Sequence, residues 1–107
     1  MQRGKTMVEV REEMFRRSME IHHRKSKDYC GKFHDTDPLY NQRMCAVMGV
    51  VDTPERGIMV RLSDKLMRMV SLLEKEGEVS DESFEDTVVD AHNYLDQIVY
   101  FRRESKE

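Results

Sequence analysis

The stretch Thr53-Pro54-Glu55-Arg56-Gly57-Ile58-Met59-Val60-Arg61-Leu62-Ser63-Asp64-Lys65-Leu66-Met67-Arg68-Met69-Val70-Ser71-Leu72-Leu73 sets the reading of the whole chain. Its apolar residues Met59, Leu62, Leu66, Met69, Val70 and Leu73 recur at intervals of three and four, the period of a helix rather than a strand. Thr53 before Pro54 and Glu55 is a helix start, with a side-chain cap, a proline at the first helical position and early negative charge. The spacing predicts a helix that continues until Gly77 supplies a stop.

Downstream, Glu76 to Asp81 reads as a short turn, and Ser80 is expected to cap a fourth helix with Asp81 and Glu82 in its first turn. Phe84, Val88, Ala91, Leu95, Ile98 and Val99 are expected to face its core. Upstream, a first helix is expected from about Thr6 to Ser26, with Met7, Val10, Met14 and Ile21 on one face. Glu9, Glu12 and Glu13 begin it, and His22, His23, Arg24, Lys25 and Lys27 crowd its end, an order that complements the helix dipole. The same basic cluster could instead be an anion-contacting corner. Asp28 to Asp37 reads as the longest loop, carrying Tyr29, Phe33 and His34 around Gly31. Asp37-Pro38 then signals a second helix running to about Val51. No β alternation or internal repeat is visible, so the expected fold is all-α, one four-helix bundle-like domain over residues 1–107.

Composition sets bounds on function. With 107 residues, 38% hydrophobic and 36% charged, the chain has one modest core, for which a partner copy would help, so a homo-oligomer is expected. A net charge of −3 argues against an extended nucleic-acid surface, which needs an excess of Lys and Arg. No apolar run nears the roughly 20 residues that span a bilayer, so neither membrane insertion nor secretion is expected and the reading is cytoplasmic. Cys30 and Cys45 then read as reduced thiols. The nine methionines suit irregular cores, interfaces or ligand walls.

Two charged strips carry the functional reading. On the third helix Arg61, Asp64, Lys65 and Arg68 share one side, roughly opposite the main apolar stripe. They form either a solvated ladder of ion pairs or, because Val60, Met67 and Leu72 also flank them, a strip facing a cavity. On the fourth helix Asp86, Asp90, Asn93 and Gln97 occupy an arc of roughly 60° at about 100° per residue. These short carboxylates and amides have mediocre helix propensity, so something other than propensity placed them. Asp86 and Asp90 could hold Mg²⁺ or accept hydrogen bonds from Arg61 and Arg68. His22 and His23 point in different directions and share no evident metal partner, and His92 reads as a packed histidine. No phosphate-binding glycine loop, dinucleotide fingerprint or serine elbow is present.

The strings Lys27-Asp28-Tyr29, Arg61-Leu62-Ser63-Asp64-Lys65-Leu66-Met67-Arg68 and Asp81-Glu82-Ser83-Phe84-Glu85-Asp86-Thr87-Val88-Val89-Asp90-Ala91-His92-Asn93-Tyr94 resemble the nucleotide modification associated domain 1 family, all-helical and found in phages and bacteria. The resemblance covers about Ile21 to Phe101. It implies a nucleotide or nucleotide-derived ligand and a site of Lys27, Asp28, Tyr29, Arg61, Asp64, Lys65, Arg68, Asp86, Asp90, Asn93 and Tyr94, with Glu82 and Thr87 in the same pattern. In that reading Arg61, Lys65, Arg68 and Lys27 meet phosphates, Asp86, Asp90 and Asn93 meet ribose or a base edge, and Tyr29 or Tyr94 stacks on the base. The expected function is capture or sequestration of such a ligand by a phage protein, an anti-defence sponge being one version, with no cofactor and no catalytic residue.

The layout is also similar to MazG-like nucleotide pyrophosphohydrolases, which implies the alternative of an Mg²⁺-dependent phosphohydrolase using Asp64, Asp86 and Asp90. The chain departs from that pattern, since Asp64 has no acidic residue three or four positions away. A structural helical adaptor is the third reading.

Overall fold

The computed structural model describes residues 6–30, 37, 39–75 and 78–107, without the side chains at 26, 27, 29, 30 and 78–80. Four helices carry the chain: α1 (Met7–Cys30), α2 (Tyr40–Val47), α3 (Pro54–Leu73) and α4 (Glu78–Glu104). Among the described residues there is no strand, and the fold is the expected all-α one. No described helix is long and apolar enough to cross a membrane.

The helix starts follow local chemistry. Thr6 and Glu9 open α1 with a reciprocal cap: the Glu9 N–H donates to Thr6 Oγ1 at 3.2 Å, and the Thr6 hydroxyl donates to Glu9 Oε1 at 2.9 Å. The helix then runs four residues beyond the expected Ser26, taking Asp28, Tyr29 and Cys30 into its last turn. At α3 the Thr53 hydroxyl accepts from the Arg56 N–H at 3.3 Å, and Pro54 occupies the first helical position, as the sequence predicts. The helix ends at Leu73, and α4 begins at Glu78, ahead of the expected cap at Ser80.

The start of α2 differs from expectation. Leu39 is its N-cap, and no side chain caps the first turn. Asp37 lies outside, accepting from the Leu39 N–H at 3.2 Å while its carboxylate binds Arg43 Nε at 2.6 Å. Pro38 lies outside the described residues. The helix stops at Val47, short of Val51, because Gly49 adopts φ +78°; its N–H then reaches the Ala46 carbonyl at 3.0 Å and that of Val50 reaches the Cys45 carbonyl at 3.0 Å.

Leu39, Ile58 and Phe101 form the buried centre, with Tyr94 and Ile98 packed against it. Helices α3 and α4 share the main contact, α1 lies against α4, and α2 bridges α3 and the end of α4. The apolar stripe predicted to bury α3 does so only in part: Leu62 and Met69 are half-buried, Met59, Leu66, Val70 and Leu73 are exposed, and Ile58 and Leu72 are buried. On α4 Leu95 and Val99 are exposed and Val89, Ala91 and Phe101 are buried. Both helices are rotated relative to the expectation, and they turn parts of their charged strips towards each other. Burying Ile58, Leu72, Val89 and Phe101 fixes that rotation, and an ion pair between Lys65 and Asp90 accompanies it.

Candidate functional site

Asp90, in the middle of α4, is the point at which three helices meet. Lys25 from α1 donates to its Oδ1 at 2.8 Å, and Lys65 from α3 lies 3.0 Å from its Oδ2. The Asp90 side chain is 14% exposed, so these are partly desolvated pairs rather than surface ones. Burial pushes its carboxyl group upward in pKa, but hydrogen bonds from Lys25 and Lys65 outweigh that effect and hold it below its ordinary value. The position falls on the inward side of α4 because Val89 and Ala91 on either side of it are buried.

Beside this junction lies a cavity of about 40 Å³, walled by His22 and Lys25 of α1, Leu39, Asn41 and Gln42 at α2, Arg61 of α3, and Asp90, Asn93, Tyr94 and Gln97 of α4. That volume holds a small number of waters, not a nucleotide. A groove of about 360 Å³ shares His22, Leu39, Asn93 and Gln97 with it and continues past Asp37, Asp96 and Tyr100. Its size falls in the range of small-molecule sites.

The lining has two chemical halves. Lys25 and Arg61 set two cations beside the one carboxylate of Asp90, which Lys65 pairs with from outside the lining. Arg61 is half-buried, and its Nη2 donates to the soft sulfur of Cys45 at 3.2 Å, a weak acceptor for a guanidinium. The second half is made of amides. Gln42 Nε2 donates to Gln97 Oε1 at 3.1 Å, and Gln42 is 4% exposed. Its Oε1 has no hydrogen-bond partner among the described residues.

The sequence-predicted residues separate into three groups. Arg61, Asp90, Asn93 and Tyr94 line the cavity, and Lys65 reaches it through Asp90. Asp28, Asp64, Arg68 and Asp86 are exposed and do not line it, Asp86 being bound by Arg17 Nη2 at 2.7 Å on the α1 side of α4. The side chains of Lys27 and Tyr29 lie outside the described residues. Four positions around α3 share one charged strip in sequence, yet only Arg61 and Lys65 turn inward. The strip spans too wide an arc for all four to face one neighbour.

Sequence reasoning placed Lys25 in a basic cluster and Gln97 on the polar arc without assigning either to the site. It missed Asn41 and Gln42. The only signal for them was a short helix whose polar residues include two amides instead of Lys and Glu.

For Mg²⁺ the donor set does not fit. Both Asp90 oxygens accept from ammonium groups, Asp86 is held by Arg17, and Asp64 is exposed on the far edge of α3. Among the described residues no three His, Cys, Asp or Glu side chains come close enough to hold an ion.

Comparisons with protein-family models, curated proteins and solved structures gave no match for the chain.

Proposed function

We propose that the chain binds a nucleotide or nucleotide-derived molecule in the cleft between α1, α2 and α4, and that it captures the molecule without transforming it. The observation that carries this reading is the pairing of a cationic half, Lys25 and Arg61, with an amide half, Asn93, Gln97 and Gln42, around one small cavity that shares walls with a larger groove. Guanidinium and ammonium groups suit phosphate oxygens. Amides suit the donor and acceptor edges of a base or the hydroxyls of a sugar. The unsatisfied Gln42 Oε1 asks for a ligand N–H or O–H.

A nucleotide is larger than the cavity itself, so its phosphate would occupy the Lys25–Arg61 end and its base and sugar would lie along the groove towards Tyr100. The resemblance to the nucleotide modification associated domain 1 family supports the same ligand class and a phage setting, in which a captured signal would be withheld from a host enzyme.

Isothermal titration calorimetry with a panel of nucleoside mono-, di- and triphosphates and cyclic nucleotides tests the reading. Binding is expected for at least one member, weakened roughly tenfold or more by Arg61→Ala with helicity unchanged. Ligand recovered intact from denatured complex supports capture. Silence across the whole panel overturns the proposal.

A further inference from the structure

Helix α3 turns an apolar face away from the molecule. Met59, Val60, Leu66, Met67, Val70 and Leu73 are 49 to 70% exposed, a large share of the apolar side chains in a 20-residue helix. Burying Ile58 and Leu72 on the other side of α3 fixes this orientation.

The centre of the exposed face is a heptad seam. Arg56, Val60, Ser63, Met67, Val70 and Glu74 succeed one another at spacings of four, three, four, three and four, the repeat that lets two helices pack along one line. All six are exposed. Charges close the seam at both ends, and each is at the wrong end for its own helix: Arg56 in the first turn, where the dipole disfavours a cation, and Glu74 at the C-cap, where it disfavours an anion. Among the described residues neither forms an ion pair.

We propose that this face binds a second copy of the chain, α3 against α3, antiparallel about a twofold axis near residue 65. In that register Arg56 lies opposite the partner copy's residue 74, Val60 opposite residue 70 and Ser63 opposite residue 67. Each misplaced charge then meets both an opposite charge and the favourable end of the neighbouring dipole. The flanking row Met59, Leu66 and Leu73 meets its own copy, apolar against apolar. A parallel pair would set Arg56 against arginine and Glu74 against glutamate, and would lay that apolar row against the flank of Asp64 and Ser71. Charge and apolar pattern thus select the same orientation.

Sedimentation analysis of the full chain tests this. A dimer is expected, converted to monomer by Met67→Lys with helical circular dichroism retained. Arg56→Glu is expected to weaken the dimer roughly tenfold, and the double variant Arg56→Glu with Glu74→Arg to restore it, because the swap recreates both pairs only in an antiparallel dimer. Should Met67→Lys lose helicity, Ser63→Glu places a charge at the same seam where a polar residue already stands, and dissociation is expected. A monomer at all micromolar concentrations overturns the proposal. So does an assembly that these variants leave intact, which would point to another surface such as the groove between α1 and α4 lined by Met7, Phe15, Phe84 and Val88, or a dimer that the charge swap does not restore.

Discussion

Lys65 on α3 and Asp90 on α4 meet at 3.0 Å, and through this pair one residue of each charged strip turns inward while Asp64, Arg68 and Asp86 stay exposed. Lys25 closes on the other oxygen of the same carboxylate, so one side chain ties α1, α3 and α4 together.

Replacing Asp90 by Ala is therefore expected to destabilise the fold by about 1–2 kcal/mol, since two partly covered ammonium groups lose their shared partner. Urea denaturation followed by circular dichroism measures it. Lys65→Ala is expected to cost less, because Asp90 keeps Lys25.

Acid stability follows from the same carboxylate. Its pKa in the folded chain is held below the ordinary value of 3.8, so its contribution is fully present above that value and disappears as pH falls through the lower, folded one. Stability measured from neutral pH down to strongly acidic conditions is expected to decline less steeply in Asp90→Asn than in the unchanged chain. Equal slopes would show that the lysine contacts do not persist in solution.

Arg43 joins α2 to the end of α4. It binds Asp37 at 2.6 Å and Glu104 through two guanidinium nitrogens, and its Cζ lies 5.0 Å from the centre of the Phe101 ring. Its hydrogen bond to Glu104 holds that carboxyl below the usual range. Arg43→Lys keeps the charge but loses the fork and the planar stacking, so it is expected to cost about 1 kcal/mol. Hydrogen exchange should rise across residues 40–47 in that variant and stay unchanged in α3.

Gly49 is the one described residue with positive φ, at +78°, and no atom would lie within 4 Å of an added Cβ. Gly49→Ala is therefore a purely conformational change, expected to lower stability by about 1 kcal/mol. Thermal unfolding reads the loss directly. A neutral result would mean that the α2 stop is not fixed by this residue.

The sequence made the helices legible where chemistry is local. Thr6 with Glu9 and Thr53 with Pro54 start their helices as their side chains dictate. Rotation about each helix axis was less legible, because α3 is apolar on two sides and local periodicity cannot say which one a neighbour covers. Met59, Leu66 and Val70 were read as core and lie exposed, while Arg61 and Lys65 were read as strip residues and turn inward. The acid-amide arc of α4 was legible for a different reason: Asp90 and Asn93 are poor choices for a solvent-facing helix, and both line the cavity together with Gln97. Gln42 left only the weaker signal of an amide on a short helix, since its role depends on a contact 55 residues away in sequence.

That contact gives the last prediction, an asymmetry between two neighbouring amides. Among the described residues, the buried Gln42 side chain has Oε1 unsatisfied and bonds through Nε2 to Gln97 at 3.1 Å. Gln42→Met removes a buried orphan acceptor and one hydrogen bond together, two effects of similar size and opposite sign, so stability is expected to change by no more than about 0.5 kcal/mol. Gln97→Met removes only the partner, leaves both ends of the buried Gln42 amide unpaired, and is expected to cost about 1–3 kcal/mol. Paired denaturation curves decide it. If the two variants lose stability equally, Gln42 Oε1 already has a partner in solution and does not await a ligand; if Gln42→Met is neutral in stability yet loses nucleotide binding, that oxygen is an acceptor the ligand uses.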